Sequence, residues 1–409
     1  MSAVGVRNGV SVVGTLALIR YRVPVPTVSV EAYFYRNHVL YYAARVPQDY
    51  ITAYNNTTRT SHAYKETAPQ VIALPDPPTD GITSLRYLLG APKSLLASTS
   101  WDGSVRVHDT AEHRRVFSHA MESGPLLSLT TIDSNDRRHS LVTGGMDGSI
   151  RSVDLETSTV EIIGSHTESE TPSCSCLFSL ANSSSPSLIA SAGWDKQFHI
   201  WDIRKKGQPA VTVALPGKAY SMDLDPKHNR VALATSGRRT CFIDIRSGTE
   251  AELVLDREST LKYQMRCIRF FPEGDGIAVG SVEGRVAVEY LEELVPKSNT
   301  KLSKYAFKCH RSGDVVYPVN CIEFHPRFGT FATAGCDGCV ALWDGQNKKK
   351  LTTLPKMPTS ISALAFNRDG QELAIASSYT FEDGEREHPH DEIYIRKMLD
   401  SECMPKTAT

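Results

Sequence analysis

The sequence has almost no charge of one sign to spare. Across 409 residues, 45 Lys and Arg stand against 46 Asp and Glu, a net charge of −1. No global field therefore draws the chain to nucleic acid or to a membrane surface, and a charged partner must be met by a local patch. Long apolar runs are also missing. Val10 to Ile19 comes nearest, but Gly14 interrupts it and Arg20 and Arg22 follow, well short of the about 20 residues a bilayer span needs. Arg7 ahead of that run gives it something of a signal peptide, yet no clear small-residue cleavage site follows. The nine cysteines are odd in number and scattered, which argues against a disulfide framework and for a reducing compartment. Cys336 and Cys339 form a CxxC with no second pair to complete a zinc site. Catalytic signatures are lacking as well: there is no G-x-S-x-G elbow, H-E-x-x-H, P-loop or dinucleotide fingerprint. HPHDE, His388 to Glu392, offers two histidines and two carboxylates, but a polar insertion between strands explains it more simply. These absences point away from an enzyme and from a cofactor.

What is there repeats. LASTSWDGSVRVHD (Leu96 to Asp109) returns as LVTGGMDGSIRSVD (Leu141 to Asp154), IASAGWDKQFHIWD (Ile189 to Asp202) and FATAGCDGCVALWD (Phe331 to Asp344). Weaker copies begin at Val231, Ile277 and Leu373. The motif positions Asp102, Asp147, Asp195, Arg239, Glu283 and Asp337 are 45, 48, 44, 44 and 54 residues apart, close to the roughly 40–45 residue period of a four-stranded propeller blade. Alternation such as Val105-Arg106-Val107 marks strands with one buried face, and the Asp-Gly turns at 102–103, 147–148 and 337–338 tolerate the positive φ of tight hairpins. A further apolar strand precedes most of the motifs, and no helical stretch of useful length competes. The expected fold is all-β, a seven-bladed WD40 β-propeller over residues 70–400. Val71 to Leu74 should latch the last blade. Residues 1–69 form an N-terminal extension outside that fold, and 401–409 a C-terminal tail.

Fold alone leaves function open. Particular stretches narrow it: LKYQMRCIRFFPEGDGIAVGSVEGRVAVEYLEE (Leu261 to Glu293), KYAFKCHR (Lys304 to Arg311), STSWDGSVRVHD, TSGRRTCFIDIR and the ending ASSYTFEDGEREHPHDEIYIRK. Over roughly residues 70 to 400 these resemble the Bub-three family of spindle-checkpoint WD-repeat proteins and their relative, the Rae-one RNA-export factor. VEGRVAVEY and HPHDEIYIR look more like the checkpoint side. The first 69 residues and the Ser/Thr-rich insertions SHTESETPSCSC and NSSSPS have no counterpart in that pattern.

The resemblance implies a mitotic spindle assembly checkpoint adaptor. It would bind GLEBS segments of checkpoint kinases and phosphorylated Met-Glu-Leu-Thr repeats of a kinetochore scaffold, in the nucleus and at kinetochores. It would have no membrane partner and little use for nucleic acid. The alternative is a nuclear-pore-associated mRNA export factor on the same propeller.

By that resemblance Arg266 pairs with a GLEBS glutamate, while Arg285, Lys304 and Arg311 lie near a phosphothreonine and its acidic neighbours, all gathered on one face. Arg285 stands in the turn Glu283-Gly284-Arg285, where other copies carry Ser, Gln, Cys or Thr, and a guanidinium there suits a carboxylate or phosphate. Ordinary solvated arginines are the plainer alternative. Trp101 and Trp194 precede their turn aspartates and could clamp a bound strand or merely cover the next blade. Trp201 and Trp343 read as core. His119, His166 and His310 read as histidines bonded within a blade, with a secondary site role open for His310.

Overall fold

In the computed structural model the described residues are 70–406, apart from the segments 89–93, 134–138, 167–169, 181–186, 226, 248 and 292–303, together with the backbone of three strands upstream. Those three, Ile19–Arg22, Ser29–Tyr35 and Val39–Ala44, form an antiparallel sheet of their own. The chain divides into two compact units, residues 1–55 with 381–386, and the remainder.

The remainder is a seven-bladed β-propeller. Its repeats fold as seven four-stranded antiparallel sheets among the described residues. The fifth blade illustrates the plan: Met265–Phe270, Gly276–Ser281, Arg285–Tyr290 and Tyr305–Lys308, from the axis outward. Each first strand packs beside the next, and Ile361–Phe366 of the seventh blade meets Ile82–Tyr87 of the first, so the ring closes. Because each sheet is covered on both faces, its second strand is buried throughout, as in Arg230–Thr235 and Gly276–Ser281. The cores therefore lie between blades. Between the fifth and sixth, Phe324 meets Phe271 edge to face and Phe331 at a tilt, with ring centroids 5.3 Å apart in both pairs, contacts that add to plain burial.

Closure uses the chain start. Val71–Ala73 pairs antiparallel with Glu392–Lys397, setting Ile72 opposite Ile395. Part of the expected C-terminal tail is packed on the ring. Asp400–Cys403 is a helical turn whose Cys403 is fully buried in the core between blades 6 and 7. Thr330 donates to the Cys403 carbonyl at 2.7 Å, and Arg396 makes two bonds to Glu402 at 2.7 and 2.9 Å. The turn is thus tied to both blades. It is too short for any helical periodicity to announce it.

Each blade carries one bulge in its first strand. The extra residues are Thr83, Leu127, Ser175, Tyr220, Arg266, Asn320 and Ser362. Bulging turns them toward the axis, where they line the channel. Three reach the next blade at 2.8 Å: Thr83 to the carbonyl of Leu126, Ser175 to that of Ala219, and Asn320 to that of Ile361.

The candidate docking face

Antiparallel order fixes which residues share a face. The start of every first strand, the turn between second and third strands, and the connection between blades all lie at one end of the ring. Arg266, Glu283, Arg285, Arg311, Trp101 and Trp194 are all at that end. Lys304 is not. Arg285 pairs with Lys308 and Val288 with Tyr305, so Lys304, ahead of Tyr305, belongs to the opposite end. The expectation that Lys304 joins the arginines is corrected by this register, and exposed Lys308 takes the place beside Arg285.

The turn bearing Arg285 is held rigidly. Gly284 has φ +63°, and a Cβ there would sit 2.8 Å from the Cys309 carbonyl and 3.0 Å from those of His310 and Tyr317. Only glycine lets the turn approach this connection so closely. The Cys309 amide in turn donates to the Gly284 carbonyl at 2.9 Å. Arg311 starts a small hairpin with Val316 opposite, and its guanidinium donates to the Glu283 carbonyl at 2.9 Å. The Arg285 Nε lies 3.6 Å from the Glu283 carboxylate. Burial pushes the Glu283 carboxyl up, while Arg285, Arg311 and Lys262 pull it back. One carboxylate thus stands among several cations, and the cluster keeps net positive charge for a partner.

Arg266 is the bulged residue of the fifth blade and half-buried at the channel mouth. Trp101 and Trp194 are half-buried on their turns. The Trp101 amide donates to the Gly81 carbonyl at 2.9 Å, and its ring would lie 3.1 Å from a Cβ at Gly81. The Trp194 amide donates to the Ser173 hydroxyl at 3.1 Å.

His310 is spoken for. Its Nδ1 bonds Asp337 at 2.9 Å and its Nε2 bonds Thr333 at 2.8 Å, while Trp343 donates to the same Thr333 hydroxyl at 2.9 Å. Blade 3 repeats the chain with Asp195, His166, Ser191 and Trp201. Buried with both nitrogens occupied, His310 supports the blade and offers nothing to a ligand; its secondary site role is corrected. Burial pushes the Asp337 carboxyl up, but the bond and charge of His310, the Cys339 amide and Lys356 together hold it below the usual carboxylate range. His166, Asp195 and His199 lie close enough to suggest a metal site, but both His166 nitrogens are already used within the blade. In HPHDE, His388 is exposed and Asp391 accepts from the Tyr379 amide at 3.1 Å.

The WD domain, G-beta repeat family model matches residues 70–109, 164–202 and 301–344. The chain is 41% identical over 328 residues to a Dictyostelium discoideum protein named mitotic checkpoint protein bub3, covering 79% of this chain and 93% of that one. It is 40% identical over 341 residues to the mitotic checkpoint protein BUB3.1 of Arabidopsis thaliana, covering 81% and 94%. A Schizosaccharomyces pombe poly(A)+ RNA export protein is 33% identical over 323 residues, covering 76% and 85%.

Proposed function

This chain belongs to the Bub3 family of WD-repeat mitotic checkpoint proteins, and from that premise we propose that it is a non-catalytic adaptor that docks acidic and phosphorylated peptide segments. The observation that carries the reading is the cationic turn: Arg285 and Arg311 flank Glu283, with Lys308 in register, on a backbone that Gly284 locks in place. A planar guanidinium held there can meet a phosphate with two parallel bonds at little further loss of freedom. Arg266 at the channel mouth suits a glutamate of a GLEBS segment, and Trp101 and Trp194 give a crossing strand apolar cover. On this reading the partners are checkpoint kinases with a GLEBS segment and a kinetochore scaffold with phosphorylated Met-Glu-Leu-Thr repeats. The protein would work in the nucleus and at kinetochores.

Fluorescence anisotropy with matched Met-Glu-Leu-Thr peptides tests this directly. Phosphorylation should tighten binding at least about tenfold; equal binding of the two forms would sink the reading. Messenger-RNA export is the second reading, favoured by the 33% identity to an RNA export protein. It demands single-stranded RNA binding with a steep salt dependence, and a flat salt response removes it.

A further inference from the structure

The channel has a chemistry that peptide docking on the outer face does not use. One residue past each bulge its wall is made of small side chains, such as Ser84, Ser128, Cys176 and Ser221, and a cavity of about 180 Å³ lies there. Two residues further along the strands Arg86 and Arg269 line the channel with Phe178, and Asp223 and Glu323 stand at the same level near both arginines. Arg269 is shared by the two carboxylates. Its Nε lies 3.4 Å from Glu323, and both acids raise its affinity for its proton. Asp223 also accepts from the Phe270 amide at 2.7 Å.

Arg86 is the surplus. Its guanidinium lies 4.8 Å from the centroid of the Phe178 ring, and among the described residues no hydrogen-bond acceptor is within its reach. Burial first, and the neighbouring Arg269 after it, work against its charge, and the favourable fields of Glu323 and Asp223 do not make up the difference. Counting Arg266 at the mouth, three guanidinium groups face two carboxylates. Arg86 is half-buried in the channel wall, and its five donors stand open to an acceptor that enters the channel.

We propose that the channel binds a small oxyanion beside Arg86, in the cavity under the ring of bulged residues. The planar fork of Arg86 matches two oxygens of such an ion, and Phe178 holds the fork flat. The volume admits an inorganic oxyanion and excludes a folded partner.

Sulfate is the probe, because it keeps its charge from pH 5 to pH 8. Calorimetric titration of the full chain should give saturable binding of one ion. Arg86→Met keeps the stem against Phe178 and removes the fork, so affinity should fall about ten- to a hundredfold. Arg285→Ala, on the outer face, should bind sulfate like the parent. Without sulfate the methionine variant should melt close to the parent, since relief of the Arg86–Arg269 repulsion and of burial offsets the lost attraction to Glu323 and Asp223. Should Arg86→Met fail to fold, Arg86→Lys keeps the charge without the fork, and its affinity should fall at least about threefold. No saturable binding by the parent, undiminished binding by the folded Arg86 variant, or loss in Arg285→Ala would each overturn the proposal.

Discussion

Arg285 and His310 lie within a few residues of one another in space and have opposite jobs, which their environments decide. Arg285 is a third exposed with a loose 3.6 Å partner, so replacing it disturbs little of the fold. Arg285→Ala should weaken phosphopeptide binding about ten- to a hundredfold, with Lys308→Ala in the same direction and Lys304→Ala without effect, all read by anisotropy. His310 is enclosed, and His310→Ala takes one bond from Asp337 and one from the Thr333 hydroxyl and leaves a cavity between them. That variant should lose about 2–3 kcal/mol in urea denaturation, with peptide affinity unchanged while it remains folded. Arg285 drew notice in the sequence by its place in a repeated turn, while Arg266, Lys304 and Arg311 were chosen from the family resemblance. Which lysine stood beside Arg285 was not legible. Lys304 and Lys308 are four apart on one alternating strand and share a side of it, so periodicity cannot tell one end from the other; only the register can.

Strand and turn assignments follow from local chemistry, which is why Val71 to Leu74 could be picked as the latch from an apolar segment just ahead of PDPPTDG. The helical turn at Asp400–Cys403 escaped notice because its stabilisation is all tertiary: a buried thiol, a carbonyl bonded to Thr330 and the Arg396–Glu402 pair. The Arg396 side chain is only 4% exposed. Glu402→Ala would leave that guanidinium buried without its carboxylate, a loss of about 3 kcal/mol. Chemical denaturation should record it, and a variant as stable as the parent would mean that the turn merely rests on the ring.

Across the whole molecule the seven-fold repeat was plain from spacing, while the composition of the channel was not, since it gathers single residues from seven distant strands. Asp223 carries a consequence there. Burial raises its carboxyl from 3.8 to about 6, against the pull of Arg269, the Phe270 amide and Arg86, and with Glu323 adding to the rise. A carboxylate whose folded value lies above its unfolded one costs nothing below about pH 4, where both states hold the proton. Stability then falls as pH climbs through 6, by about 3 kcal/mol at roughly 1.4 kcal/mol per unit. Asp223→Asn should therefore be more stable than the parent at pH 7, and urea midpoints at successive pH values should see the gap close by pH 4. The latch sets a different clock. Ile72 finds its partner Ile395 only 323 residues later, so at about 5–20 residues per second a ribosome needs roughly 16–65 s to deliver it. Throughout that interval the newborn protein is an open stack whose terminal blade leaves an apolar sheet face uncovered, and its need for chaperone shelter should end when the final blade emerges.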